Sequence, residues 1–341
     1  MTTTLSFATR DCVVIGCDSL ATTIRPMIDP YNFINKFLDI DDKGTISLTK
    51  NEDGSETLTK ISDIVNFIED VPYNQQTNVT KIYKVNGTKV GVLFAGIAAI
   101  GEMSVKNIID DFTEEKDISK YIKESSVTVH GIATRLRGFI KSLYDSSFKD
   151  LQYKPVMEIV VSGYSEKYNK PEIHKITFQN DGKVDINQSC KRGEYKIVFG
   201  GQYDIIERIV HGIDYNTFRN YTQLLHSILA DYQNSIQEIL NKEKVSINIP
   251  KAENIDSTSE LIKERFWSGV GFSMANFSEQ AAIDFVEFLV QVMIKSQQFS
   301  SQLPTVGGQI HMAIITKSGG FRWLSKEEYT FQNNTVNKYE K

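Results

Sequence analysis

The chain has 341 residues, 40% of them hydrophobic, which is enough to bury one large core or two ordinary ones. Its 38 Lys and Arg residues against 43 Asp and Glu give a net charge of -5, a near-balance that argues against nucleic acid or an anionic membrane surface as the main partner. Three cysteines, Cys12, Cys17 and Cys190, have no metal-ligand spacing, and without a secretory hydrophobic region they point to a reducing compartment, the cytoplasm by default.

The first twenty-two residues are rich in Thr, Val, Ile and Phe and read as two short strands meeting at a turn around Arg10-Asp11. A hydroxyl residue directly follows Met1, and a small residue there is what methionine aminopeptidases accept. The mature chain is therefore expected to begin with a free α-amino group on Thr2. From about residue 25 to 77 the composition turns polar, and this stretch reads as an insertion. Within it, two alternating runs, 44–50 and 55–61, flank Asn-Glu-Asp-Gly and predict a β-hairpin. A strand at 79–85 turns at Asn86-Gly87 and returns at 88–96, the strongest short-range hairpin signal in the chain because both turn residues must take positive φ.

From Ile97 the apolar spacing becomes helical, and a second helix fits 127–144. Another hairpin follows at 156–164 and 172–178, then a turn at 180–183, a further strand, and a strand at 195–201 that passes through a glycine pair into a helix over 203–210. Residues 215–268 read as a second insertion. Phe218, Tyr221, Leu225, Ile228, Tyr232, Ile236 and Ile239 recur at threes and fours, so its first half is an amphipathic helix. A long helix at 279–297 and a closing hairpin at 309–316 and 320–324 complete one domain over 1–324, with a polar tail at 325–341. Hairpins of strands and consecutive helices without βαβ alternation make this an α+β chain.

Four pieces of the chain together resemble a proteasome β-subunit, and more broadly the N-terminal-nucleophile hydrolases that include the bacterial HslV peptidase. They are Thr2-Thr-Thr-Leu-Ser-Phe, Asp18-Ser-Leu-Ala-Thr22, Lys81-Ile-Tyr-Lys-Val with Ala95-Gly96-Ile-Ala98 after it, and Gly307-Gly308 before the final hairpin. The resemblance leaves out the two insertions and the tail. It implies a four-layer αββα sandwich with the active site at one end of its two sheets, no cofactor and no metal, and a ring-like homo-oligomer that admits peptide or unfolded protein. An ATP-dependent unfoldase is a further partner that such assemblies use.

The implied chemistry also follows from the residue types. A threonine hydroxyl needs a base to take its proton, and an N-terminal amine, with an unperturbed pKa of about 7.7–8.0, can do so at neutral pH. By the match, Thr2 is the nucleophile, Lys81 supplies an ammonium that lowers the amine's pKa, and Asp18 holds that ammonium. Gly96 matches the backbone donor for the oxyanion. Thr22 falls on the edge strand against which a peptide lies. Ala21, Phe94, Ala98 and Glu102 fall where the family lines the pocket for the residue before the scissile bond. The carboxylate among them suggests a basic or polar side chain there, although Glu102 by itself reads more simply as a surface helix residue.

Two positions depart from the family's pattern. Val156 stands where a serine usually does, and Asp214 is a candidate for an aspartate that the match does not locate. The resulting expectation is a threonine-type peptidase acting through Thr2. The alternatives are a non-catalytic structural subunit of a similar assembly and an amidase acting on a small-molecule amide.

Overall fold

The computed structural model describes residues 2–51, 68–123, 127–243, 247, 271–300 and 303–325. Met1, the expected 55–61 run, most of the second half of the 215–268 insertion and most of the tail lie outside the described residues.

In chain order the elements are β1 (Thr3–Ala8), β2 (Cys12–Asp18), β3 (Ala21–Ile28), α1 (Pro30–Phe37), β4 (Leu38–Ile40), β5 (Ile46–Leu48), β6 (Ile68–Gln76), β7 (Ile82–Val85), β8 (Val90–Ala95), β9 (Ala99–Ile100) and β10 (Met103–Ser104). Then come α2 (Val105–Glu114), α3 (Lys116–Lys123), α4 (Val129–Ser147), β11 (Met157–Ser165), β12 (Lys170–Phe178), β13 (Val184–Cys190) and β14 (Ile197–Gly201). The chain continues through α5 (Asp204–His211), α6 (Tyr215–Lys242), α7 (Glu279–Gln298), β15 (Ile310–Thr316) and β16 (Gly320–Ser325). The fold is α+β with antiparallel sheets. None of the described helices is long and apolar enough to cross a membrane.

Two five-stranded sheets dominate, with strand orders β14-β1-β2-β15-β16 and β13-β12-β11-β8-β7. The period-two alternation of β2 explains why both of its faces are buried. Val13, Ile15 and Cys17 join Ile82, Leu93 and Val160 in a core shared by the two sheets. Val14 faces the opposite way, into a core with Leu5, Phe7 and residues of α5 and α7 such as Ile206, Val286 and Val290. On the far face of the other sheet, Ile159, Val161 and Ile176 pack with Ile108 and Phe112 of α2, Ile118 of α3 and Leu136 and Tyr144 of α4. Each fully buried Leu, Ile or Phe contributes about 1.5–3 kcal/mol. Within the inter-sheet core the Ser6 hydroxyl donates to Ser162 Oγ at 2.7 Å.

Several elements differ from the sequence expectation. The helix expected from Ile97 begins at Val105, because Gly101 at φ +59 turns the chain into a β9–β10 hairpin and Ser104 then caps α2 by accepting from the Asn107 N–H. Helix α3 was not expected. Strand β5 pairs with β4, and the 55–61 run lies outside the described residues. The first insertion grows out of a two-stranded ribbon in which β3 pairs with β6, so it begins inside β3 itself.

Close approach of the two sheets depends on Gly91. A Cβ there would lie 2.7 Å from Ile15 Cδ1 and 3.0 Å from Phe321 Cε2. Replacing Gly91 with Val is expected to cost about 1–3 kcal/mol by overpacking, read as a lower urea midpoint at unchanged slope. An unchanged midpoint would mean that the inter-sheet core is looser than described.

Candidate functional site

Thr2 precedes β1, Asp18 ends β2, Lys81 precedes β7 and Gly96 follows β8, so the register brings all four to one end of the two sheets. Asp18 is fully buried and Lys81 is nearly so. Burial of a carboxylate requires partners, and this one has five donors. Its Oδ1 accepts from Thr2 Oγ1 at 2.6 Å, the Thr3 N–H at 2.9 Å and Lys81 Nζ at 2.7 Å. Its Oδ2 accepts from the Leu20 N–H at 3.2 Å and the Gly307 N–H at 3.0 Å. Lys81 Nζ also donates to the Leu20 carbonyl at 2.6 Å. The ammonium is thus held between a carboxylate and a carbonyl, beside the Thr2 hydroxyl.

The backbone donors to Asp18 leave no signature in the sequence. Gly307 reaches Asp18 because the Ser19 and Leu20 N–H groups both donate to the Gly307 carbonyl, at 3.1 and 2.9 Å, which locks the loop before β15 against the end of β2. Gly96 sits at φ +111, and a Cβ there would lie 2.5 Å from the Val156 carbonyl oxygen, so the turn requires glycine. Gln202 was also missed. Its N–H donates to the Thr2 carbonyl at 2.7 Å, its carbonyl accepts from Thr3 Oγ1 at 2.6 Å, and its side-chain Oε1 accepts from Thr305 Oγ1 at 2.7 Å. The Gly200-Gly201 pair before it is its one signal in the sequence, where it marks the passage from strand to helix.

A pocket of about 470 Å³ opens beside Thr2. Ala21, Thr22, Phe94, Gly96 and Ala98 line it together with Thr23, Thr80 and Lys81, and Val79, Tyr83, Ile97, Val105 and Val156 add an apolar wall that the sequence match does not supply. Tyr83 and Phe94 meet edge to face at 5.8 Å between ring centroids, and Tyr83 donates its hydroxyl to the Thr80 carbonyl at 2.7 Å, which satisfies its polar end. Glu102 is exposed and is not among the lining residues, because the β9–β10 hairpin carries it outward before α2 begins.

Asp214 is not brought to Thr2. It is the N-cap of α6, accepting from the Thr217 N–H at 3.0 Å, Thr217 Oγ1 at 2.5 Å and Arg208 Nε at 2.7 Å. Burial alone would raise its pKa, but the Thr217 hydrogen bonds and the Arg208 ion pair bring it down to about 2. The thiol nearest the site, Cys17, is pushed up to about 12 by burial, which leaves it a protonated, inert side chain at neutral pH. Among the described residues, no group of three or more His, Cys, Asp or Glu is placed to hold a metal ion. A scan against protein-family models finds no match, and a search of curated proteins returns no significant relative.

Removing the Asp18 carboxylate leaves the Lys81 ammonium buried without its counter-charge. Asp18→Ala is therefore expected to cost about 3–5 kcal/mol in chemical unfolding, and Asp18→Ala combined with Lys81→Met less than Asp18→Ala alone. Equal losses would show that the pair is not coupled. Asp214, whose folded pKa is depressed, stabilises the chain fully above its unfolded pKa of about 3.9 and loses that contribution as pH falls toward 2. Asp214→Asn should flatten the acid limb of the stability curve over this window. An acid limb unchanged in that variant would show that the Arg208 and Thr217 contacts do not hold the carboxylate in its charged form.

Proposed function

We propose that this chain is a threonine-type peptidase of the N-terminal-nucleophile class, similar to a proteasome β-subunit. The observation that carries the reading is the convergence of the Thr2 hydroxyl and the Lys81 ammonium on one buried carboxylate, Asp18, at the mouth of a pocket. The two sheets that share a core, with helices packed on the outer face of each, support a four-layer αββα sandwich. In this reading the chain acts in the cytoplasm within a ring-like homo-oligomer that admits unfolded polypeptide, to which an ATP-driven unfoldase delivers substrate.

With Met1 removed, the Thr2 amine takes the hydroxyl proton as Oγ1 attacks the carbonyl carbon of the scissile bond. The Lys81 ammonium lowers the amine's proton affinity and stabilises the developing negative charge, while Asp18 keeps that ammonium in place. The Gly96 N–H serves the oxyanion. The amine then passes the proton to the leaving nitrogen, and water enters by the same base to release the acyl group and regenerate Thr2. The backbone edge of β3 at Thr22 binds the peptide independently of its sequence.

The apolar wall of the pocket replaces the expectation drawn from Glu102. Among peptides that differ only in the residue before the scissile bond, Leu, Phe or Tyr is expected to be cleaved at least about tenfold faster than Lys, since a second ammonium would be desolvated there beside Lys81 with no carboxylate in the lining to pair with it. Thr2→Ala should abolish cleavage with the thermal transition retained. A preference for Lys would refute the pocket assignment, and full activity in Thr2→Ala would refute the mechanism.

A second reading, a non-catalytic subunit of such an assembly, is favoured by Val156 in place of a hydroxyl residue at the pocket and by the engagement of Asp214 elsewhere. It predicts no cleavage of any peptide by a chain whose Thr2 amine is free.

A further inference from the structure

Beyond the residues that touch Thr2, one charged pair on the β13-β12-β11-β8-β7 sheet reaches across to the other sheet beside it. Glu158 lies near the start of β11, opposite Ala95 of β8. Its carboxylate crosses to the other sheet, where Oε2 accepts from the Gly201 N–H at 2.8 Å, and its Oε1 pairs with Lys175 Nζ at 2.7 Å. Lys175 in turn donates to the Phe199 carbonyl at 3.0 Å. Phe199 and Gly201 both belong to β14, which runs antiparallel to β1 with Gly201 opposite Thr3 and Phe199 opposite Leu5.

The end of β14 is pressed against the nucleophile's own residue. Gly201 sits at φ +76, and a Cβ there would lie 2.0 Å from the Thr2 carbonyl oxygen. Gln202, the next residue, grips Thr2 and Thr3 through its backbone N–H and carbonyl. A glycine turn has wide conformational freedom, so something outside it must fix its position. A carboxylate accepting a backbone N–H is charge-assisted and stronger than a neutral hydrogen bond. On the other side, the residues just before Glu158 abut the proposed oxyanion turn: the Val156 carbonyl oxygen and Met157 Cα lie 2.5 and 3.0 Å from where a Gly96 Cβ would stand.

We propose that the Glu158–Lys175 pair positions Thr2 for attack by clamping the Gly201 turn, and so fixes the separation between the nucleophile and the Gly96 N–H. Glu158 is a positioning residue; it contacts neither Thr2 Oγ1 nor the pocket. The proposal rests on the reading of Thr2 as nucleophile. Small displacements of a nucleophile are costly, about a hundredfold for one ångström, so the acceptor that Glu158 offers to the Gly201 N–H from the other sheet bears on the rate.

The test is the rate at which a hydroxyl-directed electrophile acylates Thr2 in the full chain, together with kcat and KM for one peptide, in wild type, Glu158→Ala and Glu158→Gln. The amide oxygen of glutamine still accepts the Gly201 N–H. Glu158→Ala is expected to slow acylation about tenfold through kcat with KM unchanged, and Glu158→Gln to restore most of the rate. The thermal transition of both variants should stay cooperative. Equal acylation rates in wild type and Glu158→Ala overturn the positioning role while leaving Thr2 as nucleophile. Equal slowing in both variants, paralleled by equal loss of thermal stability, also overturns it, since a merely structural role behaves that way. A wild-type chain with Met1 removed that is not acylated at all overturns the reading of Thr2 and the positioning role with it.

Discussion

The buried pairing of Asp18 with Lys81 is the constraint on which the site end of the structure depends. A carboxylate with no exposure and an ammonium with almost none are tolerable only because each is partnered, the carboxylate by five donors and the ammonium by Asp18 and the Leu20 carbonyl. Satisfying them recruits the start of β1, the end of β2, the approach to β7 and the loop before β15 into one knot of hydrogen bonds. The strands cannot slip in register at this end without stranding a buried charge. The hydrophobic cores above it specify which faces meet, and the ion pair specifies where along the strands they stop.

The same knot explains the placement of the pocket. Lys81 is turned toward Asp18 by its charge, and the pocket beside it is lined by the apolar side chains of Tyr83, Phe94, Ile97 and Val105. The site therefore combines a polar corner, where Thr2 lies, with an apolar recess next to it. That combination suits amide chemistry on a chain whose side chain is anchored by burial, and it is the physical basis for proposing a peptidase.

Much of this was legible in the sequence, for reasons that differ by residue. The Asn86-Gly87 turn and the Thr, Val, Ile and Phe content of the opening residues are local signals, and the strands followed. Thr2, Asp18, Lys81 and Gly96 were found through a resemblance that matches residue types at motif positions, and the structure brings them together. Glu102 was misplaced because Gly101 and the Ser104 cap delay the helix by two turns, a tertiary outcome that the apolar spacing from Ile97 onward does not encode. Asp214 was misplaced because a carboxylate before a helix is first of all an N-cap, and Arg208 and Thr217 claim it. The Gly307 and Gln202 contacts were illegible because they use backbone groups, which every residue carries. Glu158 and Lys175 sit on adjacent strands of one sheet and act on the other, a relation that needs the sheet packing to be known.

The central claim is that Thr2 carries a free amine and an activated hydroxyl. Intact-mass measurement of the purified chain after exposure to a hydroxyl-directed electrophile, with the adduct mapped by peptide sequencing, tests both at once. The account predicts a chain without Met1 that carries a single adduct on Thr2. A chain that retains Met1, or an adduct confined to other residues, would contradict it.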